Sequence, residues 1–169
     1  MWPSKRPEVL LDALAILHKK GVGYTADFYG SPLPSTEEYY ASLKERVLTL
    51  DLEREVSFHS GVPNSAAIDL YRAHELFVNC SPSGMFDKTL FEAAACGALV
   101  VASSGDFAEL VDEKLSFPDS DAEALAERLA GLMALPANEK GRLTESLEGE
   151  AAKQSLATLG ARLAKAIHS

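Results

Sequence analysis

The stretch Glu75–Ser104, ELFVNCSPSGMFDKTLFEAAACGALVVASS, decides the fold. Leu76 to Cys80 is a short apolar run, too short for a helix and rich in strand formers. Ser81, Pro82, Ser83 and Gly84 break it. Asp87 to Cys96 then reads as a buried helix, with Leu90, Phe91, Ala94 and Ala95 on its inner side. Gly97 stops it, and Leu99 to Ala102 is a second buried strand. Two continuously apolar strands joined by a helix form a βαβ unit. That unit belongs to a parallel sheet covered on both faces.

Two features of this unit bear on function. Gly84 lies just ahead of a helix N-terminus, where free N–H groups and the helix dipole favour phosphate. Glycine there lets a ligand approach the backbone, and Lys88 in the first turn offers a cation. The second feature is Glu92 among Phe91, Ala93 and Ala94. A carboxylate in so apolar a stretch needs a partner. The choice lies between Lys88 at i−4, a backbone group and ligand hydroxyls.

Composition narrows the classes. A chain of 169 residues is one domain, large enough for a core. Hydrophobic content of 47% and charged content of 24% are those of an ordinary globular chain. A net charge of −9 argues against nucleic acid, which needs a basic stripe. No apolar run is long enough for a membrane span. The start MWPSKRP lacks the apolar core of a signal peptide. Cys80 and Cys96 are not in CxxC spacing and read as buried thiols, so a reducing, cytoplasmic location is expected. His18, His59, His74 and His168 show no metal-ligand spacing.

Around the central unit the same alternation repeats. Pro7 opens a helix to about Lys20, with Leu10, Ala13, Leu14 and Leu17 as its stripe. Tyr24 to Tyr29 is a strand. Ser35 with Glu38 predicts a capping box for a helix to about Leu50. Val56 to His59 is a strand, and Asn64 or Ser65 caps a helix to about His74 with Ile68 and Tyr71 inward. Leu115 to Phe117 is a short strand, and Ser120 with Glu123 predicts another capping box. Leu125, Leu129 and Leu132 stripe the helix that follows, which ends at Pro136. Asn138 to Glu148 reads as a polar helix, and Ala151 to Ile167 as a final one. The fold class is α/β, a Rossmann-like doubly wound parallel sheet with right-handed crossovers.

The run from Ser81 to Ser103 resembles the nucleotide-sugar motif of the family 4 retaining glycosyltransferases, which have the GT-B fold. The family shows a serine-rich turn, Glu, Gly-Phe-Gly, then Glu-Ala-Met-Ala-x-Gly and an apolar strand. Here the family's second glutamate falls on Glu92 and its first on Gly84, while Met85-Phe86-Asp87 replaces Gly-Phe-Gly. The resemblance implies that Ser83, Gly84, Met85, Phe86, Lys88 and Glu92 hold the donor. Asp87 either substitutes for the missing acid or only caps the helix. Ser4-Lys5-Arg6-Pro7-Glu8 is similar to the family's Lys-Arg-Pro segment, whose lysine contacts diphosphate. That makes Lys5 the catalytic cation; the plainer reading is a solvated basic start. Gly61, Val62 and Pro63 align with the loop that borders the base, and are otherwise an ordinary strand-to-helix loop. Ser103 to Val111 matches the family's Gly-Gly-x-x-Glu-x-Val turn, placing Gly105 and Asp106 near strand ends. The family carries a further strand ending in Gly-Arg, and a whole N-terminal Rossmann domain, ahead of the point matched by Lys5.

The expected function is therefore the donor-binding domain of a retaining glycosyltransferase, a hexosyltransferase type. It would use a nucleotide diphosphate sugar as substrate, with no metal or cofactor and with little turnover without its N-terminal partner domain. A non-catalytic scaffold with a degenerate donor site is the alternative. A receiver-like nucleotide domain would need an acidic cluster after its first strand, which this sequence does not show.

Overall fold

The computed structural model describes residues 3–82, 84 and 87–154. Ser83, Met85 and Phe86 of the expected donor turn lie outside the described residues, as does most of the expected final helix. Helices and strands alternate: α1 (Pro7–Lys19), β1 (Ala26–Tyr29), α2 (Glu37–Thr49), β2 (Val56–His59), α3 (Asn64–Ala73), β3 (Leu76–Asn79), α4 (Lys88–Ala95), β4 (Leu99–Ala102), α5 (Gly105–Ala108), α6 (Ala122–Ala134) and α7 (Ala137–Lys153). Each strand precedes a helix, which is the Rossmann-like α/β order the sequence predicts.

All strand pairing is parallel. β1 pairs with β2 from Ala26↔Val56 to Tyr29↔His59. β3 pairs with β4 from Leu76↔Leu99 to Asn79↔Ala102. The expected single sheet is present as two two-stranded halves, and among the described residues no ladder joins β1 to β3. A slot of about 680 Å³ separates these two strands. Leu10, Leu14 and Leu17 of α1 and Ala67, Leu70 and Tyr71 of α3 also line it.

The core follows the apolar stripes. All four residues of β4 are buried, as befits a parallel strand covered on both faces. Leu11, Leu14 and Leu17 of α1, Leu125, Leu129 and Leu132 of α6, and Leu143 and Leu147 of α7 complete it. Gly97 takes φ +87 after α4, a left-handed stop that a side chain would resist.

Several local expectations are corrected. Ile68 is exposed, because α3 turns Ala67, Leu70 and Tyr71 inward instead. On α4 the buried residues are Leu90, Ala93 and Ala94, and Ala95 is exposed. Ser35 falls in a 3-10 turn ahead of α2, where Thr36 Oγ1 accepts from the Leu33 N–H at 3.0 Å. Asp121, not Ser120, caps α6 through the Ala124 N–H at 2.9 Å. Ser120 adopts φ +59 and cannot sit at that position of the helix start. Leu115 ends a 3-10 turn, and only an isolated bridge links Ser116 to Ala102. The polar helix and the start of the expected last helix are one element, α7, whose Leu143, Leu147 and Ala151 face inward.

Candidate functional site

The carboxyl ends of β3 and β4 and the N-terminus of α4 meet at one corner, and Asp87 is its centre. Asp87 precedes α4 and has φ −98, the extended conformation of a cap residue. Its Oδ1 accepts from the Thr89 N–H at 3.1 Å and the Thr89 hydroxyl at 2.6 Å. Its Oδ2 accepts from Asn79 Nδ2 at 2.7 Å and from Lys5 Nζ at 2.5 Å. Four donors therefore occupy the two oxygens, which is near the capacity of a carboxylate. The Asp87 side chain is 9% exposed, whereas that of Lys5 is 42% exposed. Burial would push the carboxyl up, but the bonds from Lys5, Thr89 and Asn79 hold it down at about 2. At neutral pH Asp87 is an anion committed to Lys5 and to the helix end. The capping alternative for Asp87 is thus realised in the fold, and the same carboxylate holds the ammonium.

Lys5 has three N–H donors, one of which goes to Asp87, so its exposed head retains donors for an anion. The neighbouring Arg6 is engaged elsewhere, on Asp119 and on Ser120 Oγ at 2.6 Å. The basic start is paired with two acids while both side chains stay partly exposed. Asn79 is itself oriented: its Oδ1 accepts from the Ser81 N–H at 2.8 Å. Nothing in the sequence singled out Asn79. Its position at the end of a strand, eight residues before an acidic cap, was the available signal.

Gly84 has φ +81, with open space where a Cβ would stand. Its N–H donates to Asp106 Oδ2 at 3.0 Å. A carboxylate oxygen thus occupies the anion position that the sequence assigned to phosphate. Lys88 and Glu92 pair loosely at 3.8 Å with side chains 70% and 46% exposed. Glu92 is thus not enclosed by apolar neighbours. It sits on the outer face of α4, near enough to hydrogen-bond Tyr71, whose phenol is pushed up to about 12 by burial and then by Glu92 and Asp87. Gly61, Val62 and Pro63 form an exposed loop after β2, and the Gly61 N–H donates to Ser31 Oγ at 3.2 Å. Cys80 is buried, which raises its thiol to about 12 and leaves it inert. Among the described residues no cluster of His, Cys, Asp and Glu could hold a metal ion, and no helix is long and apolar enough to cross a membrane.

A family model, glycosyl transferases group 1, matches residues 1–134. This chain belongs to that family. A D-inositol 3-phosphate glycosyltransferase from Saccharomonospora viridis is 30% identical over 142 residues, covering 79% of this chain and 33% of the relative. Among solved structures, Anabaena Alr3699/HepE in complex with UDP superposes with a TM-score of 0.82 at 24% identity, over 99% of this chain and 46% of that one. The C-terminal domain of a glycosyl transferase group 1 protein, LpcC from Francisella tularensis, gives a TM-score of 0.76 at 17% identity over 91% of this chain and 81% of that one. The fold is thus that of a GT-B glycosyltransferase C-terminal domain. The chain spans about a third of the curated relative's length and under half of the Anabaena protein's.

Proposed function

We propose that this glycosyltransferase domain binds the donor of a retaining transfer, in which a hexose passes from a nucleoside diphosphate to an acceptor. The carrying observation is the Lys5–Asp87 pair at the N-terminus of α4. It presents a half-exposed ammonium, fixed by a buried carboxylate, at the positive end of a helix dipole. As the sugar leaves, negative charge grows on the diphosphate. Lys5, held in place by Asp87, and the positive end of the α4 dipole stabilise that charge without having to reorganise. Asp87 is then a positioning residue for Lys5 rather than a contact to the sugar, because its oxygens are already filled. Lys88 supplies a second cation at the same helix turn. Glu92 is assigned to the ribose hydroxyls, and the Gly61–Pro63 loop to the base. The Anabaena relative was solved with UDP and with UDP-glucose, which supports uridine diphosphate as the first nucleotide to test.

A second reading, a scaffold with a degenerate site, is favoured by one observation: Asp106 already takes the Gly84 N–H. Calorimetry separates the two. The chain should release heat with UDP or GDP but much less with UMP, which lacks the second phosphate. Lys5→Ala should weaken the binding about tenfold or more, the scale of one charge-assisted hydrogen bond. No heat with either diphosphate at millimolar concentration establishes the scaffold.

A further inference from the structure

Building on the donor reading above, we propose that Asp106 on α5 accepts hydrogen bonds from hydroxyls of the transferred sugar and is a specificity residue for the sugar-bearing nucleotide. Two positions have exchanged character in this sequence. Gly84 stands where the family pattern has its first acid, and Asp106 stands where the turn Gly-Gly-x-x-Glu-x-Val has its second glycine. The fold brings the two together. The Gly84 N–H donates to Asp106 Oδ2 at 3.0 Å, across 22 positions of sequence. A carboxylate is therefore present at the Gly84 corner, carried on a neighbouring element.

That element is anchored, while the side chain itself is open. α5 follows β4, and the partner strand β3 leads toward Gly84. The Ser103 N–H donates to Asn79 O at 3.1 Å, and the Ser103 hydroxyl to Ser81 O at 3.1 Å. These bonds hold the two strand ends side by side. Phe107, next to Asp106, is buried, and its ring meets that of Phe91 on α4 edge-on with centroids 6.2 Å apart. Asp106 is exposed, and among the described residues the Gly84 N–H is its one donor. A carboxylate has room for about four hydrogen bonds, so most of its capacity is open. Asp87 differs, because its oxygens already hold four donors. Open space also lies beside Gly84, where a Cβ would stand.

The ligand's chemistry decides what such a carboxylate does. A bare nucleoside diphosphate offers this corner negative oxygens, which the carboxylate repels. A nucleoside diphosphate sugar also brings hydroxyls beyond its second phosphate. Each hydroxyl can donate to the carboxylate in a charge-assisted bond, stronger than a neutral one. Two adjacent hydroxyls can use both oxygens. When a phosphate oxygen takes the Gly84 N–H, Asp106 is released to the sugar in the same step. A site that binds a hydroxyl in this way rejects an analogue that lacks it. Asp106 thus favours the intact donor and disfavours the nucleotide left behind after transfer.

The test is calorimetry with UDP, UDP-glucose and UDP-glucose analogues that each lack one sugar hydroxyl (the guanosine series if only GDP binds). In the parent chain UDP-glucose should bind more tightly than UDP. Loss of one particular hydroxyl should weaken binding about tenfold, the scale of a hydrogen bond to a charged group. In Asp106→Ala, UDP should bind more tightly than in the parent, UDP-glucose should not, and the penalty for the missing hydroxyl should vanish. Asp106 is exposed, so the variant should keep the parent's amide fingerprint. If the variant shifts UDP and UDP-glucose by the same factor, Asp106 only pins the Gly84 segment and the proposal fails. It fails too if the hydroxyl penalty survives the substitution, or if the parent binds UDP but ignores every hydroxyl. A parent chain that binds neither UDP nor GDP overturns the donor reading itself, and the proposal with it.

Discussion

At the residue scale the site is a contest over anion positions. Asp87 anchors Lys5, while Asp106 holds the Gly84 N–H that a phosphate oxygen would need. On the proposed reading, a diphosphate seated at Gly84 displaces the Asp106 carboxylate and meets its charge. Asp106→Ala should therefore tighten UDP three- to tenfold, about 1 kcal/mol by calorimetry; unchanged or weaker binding would show that Asp106 does not oppose the ligand. Asp87 also makes an acid prediction. Its folded value of about 2 lies below the ordinary 3.8. It therefore contributes stability above about pH 4 that is lost as pH falls toward 2, about 2 kcal/mol in all. In Asp87→Asn that acid slope should flatten in urea titrations, with Thr89 still capped by the amide oxygen.

At the element scale, β1 and α3 are tied across the slot. Asp27 lies 2.5 Å from His59 Nε2 and 3.0 Å from His74 Nε2, and Tyr29 stacks on His59 with ring centroids 4.7 Å apart. The bond to Asp27, then that to Leu70 O, raises His74, and the two histidines lower Asp27. A raised histidine stabilises below its unfolded value near 6.5 and loses that as pH rises through its folded value. The melting temperature should therefore fall between pH 6 and pH 8.5, and Asp27→Asn should remove the difference. A flat profile in the parent chain would contradict it. None of this triad was legible in the sequence. Asp27, His59 and His74 lie on three elements, and no local spacing brings them together. The elements themselves were legible wherever periodicity is strong: α1, β4 and α6 match the apolar stripes to within a residue or two. Misreadings fell where one turn offers two cap residues, as at Ser120 and Asp121, or where a neighbouring layer selects the face, as at Ile68.

At the scale of the whole molecule, the sequence shows which segments are strands but not that the sheet divides between β1 and β3. Strand order is a matter of distant contacts, which apolar runs do not encode. The slot is open to solvent and partly polar, so water wets the edges that face it. In the chain alone, amides of Asp27, Tyr29, Leu76 and Val78 should thus exchange orders of magnitude faster than those of Val100 and Val101 in the buried β4. Comparable rates would mean that the edges are already paired. The candidate corner at the start of α4 was legible in part. Lys5, Gly84 and the start of α4 stand out as cation, glycine and helix start. Asn79 and Asp106 act through side chains reaching from other elements and do not.

The account rests on a nucleoside diphosphate seating at the N-terminus of α4. The most direct test is a titration of the ¹⁵N-labelled chain with UDP, followed by amide shifts. The prediction is that the largest shifts fall on Lys5, Gly84, Lys88 and Thr89, with the loop at Gly61 and Val62 moving at the same midpoint. Shifts that gather instead at the opposite depression lined by His18, Arg54 and Glu55, or no shifts at millimolar UDP and GDP, would contradict it.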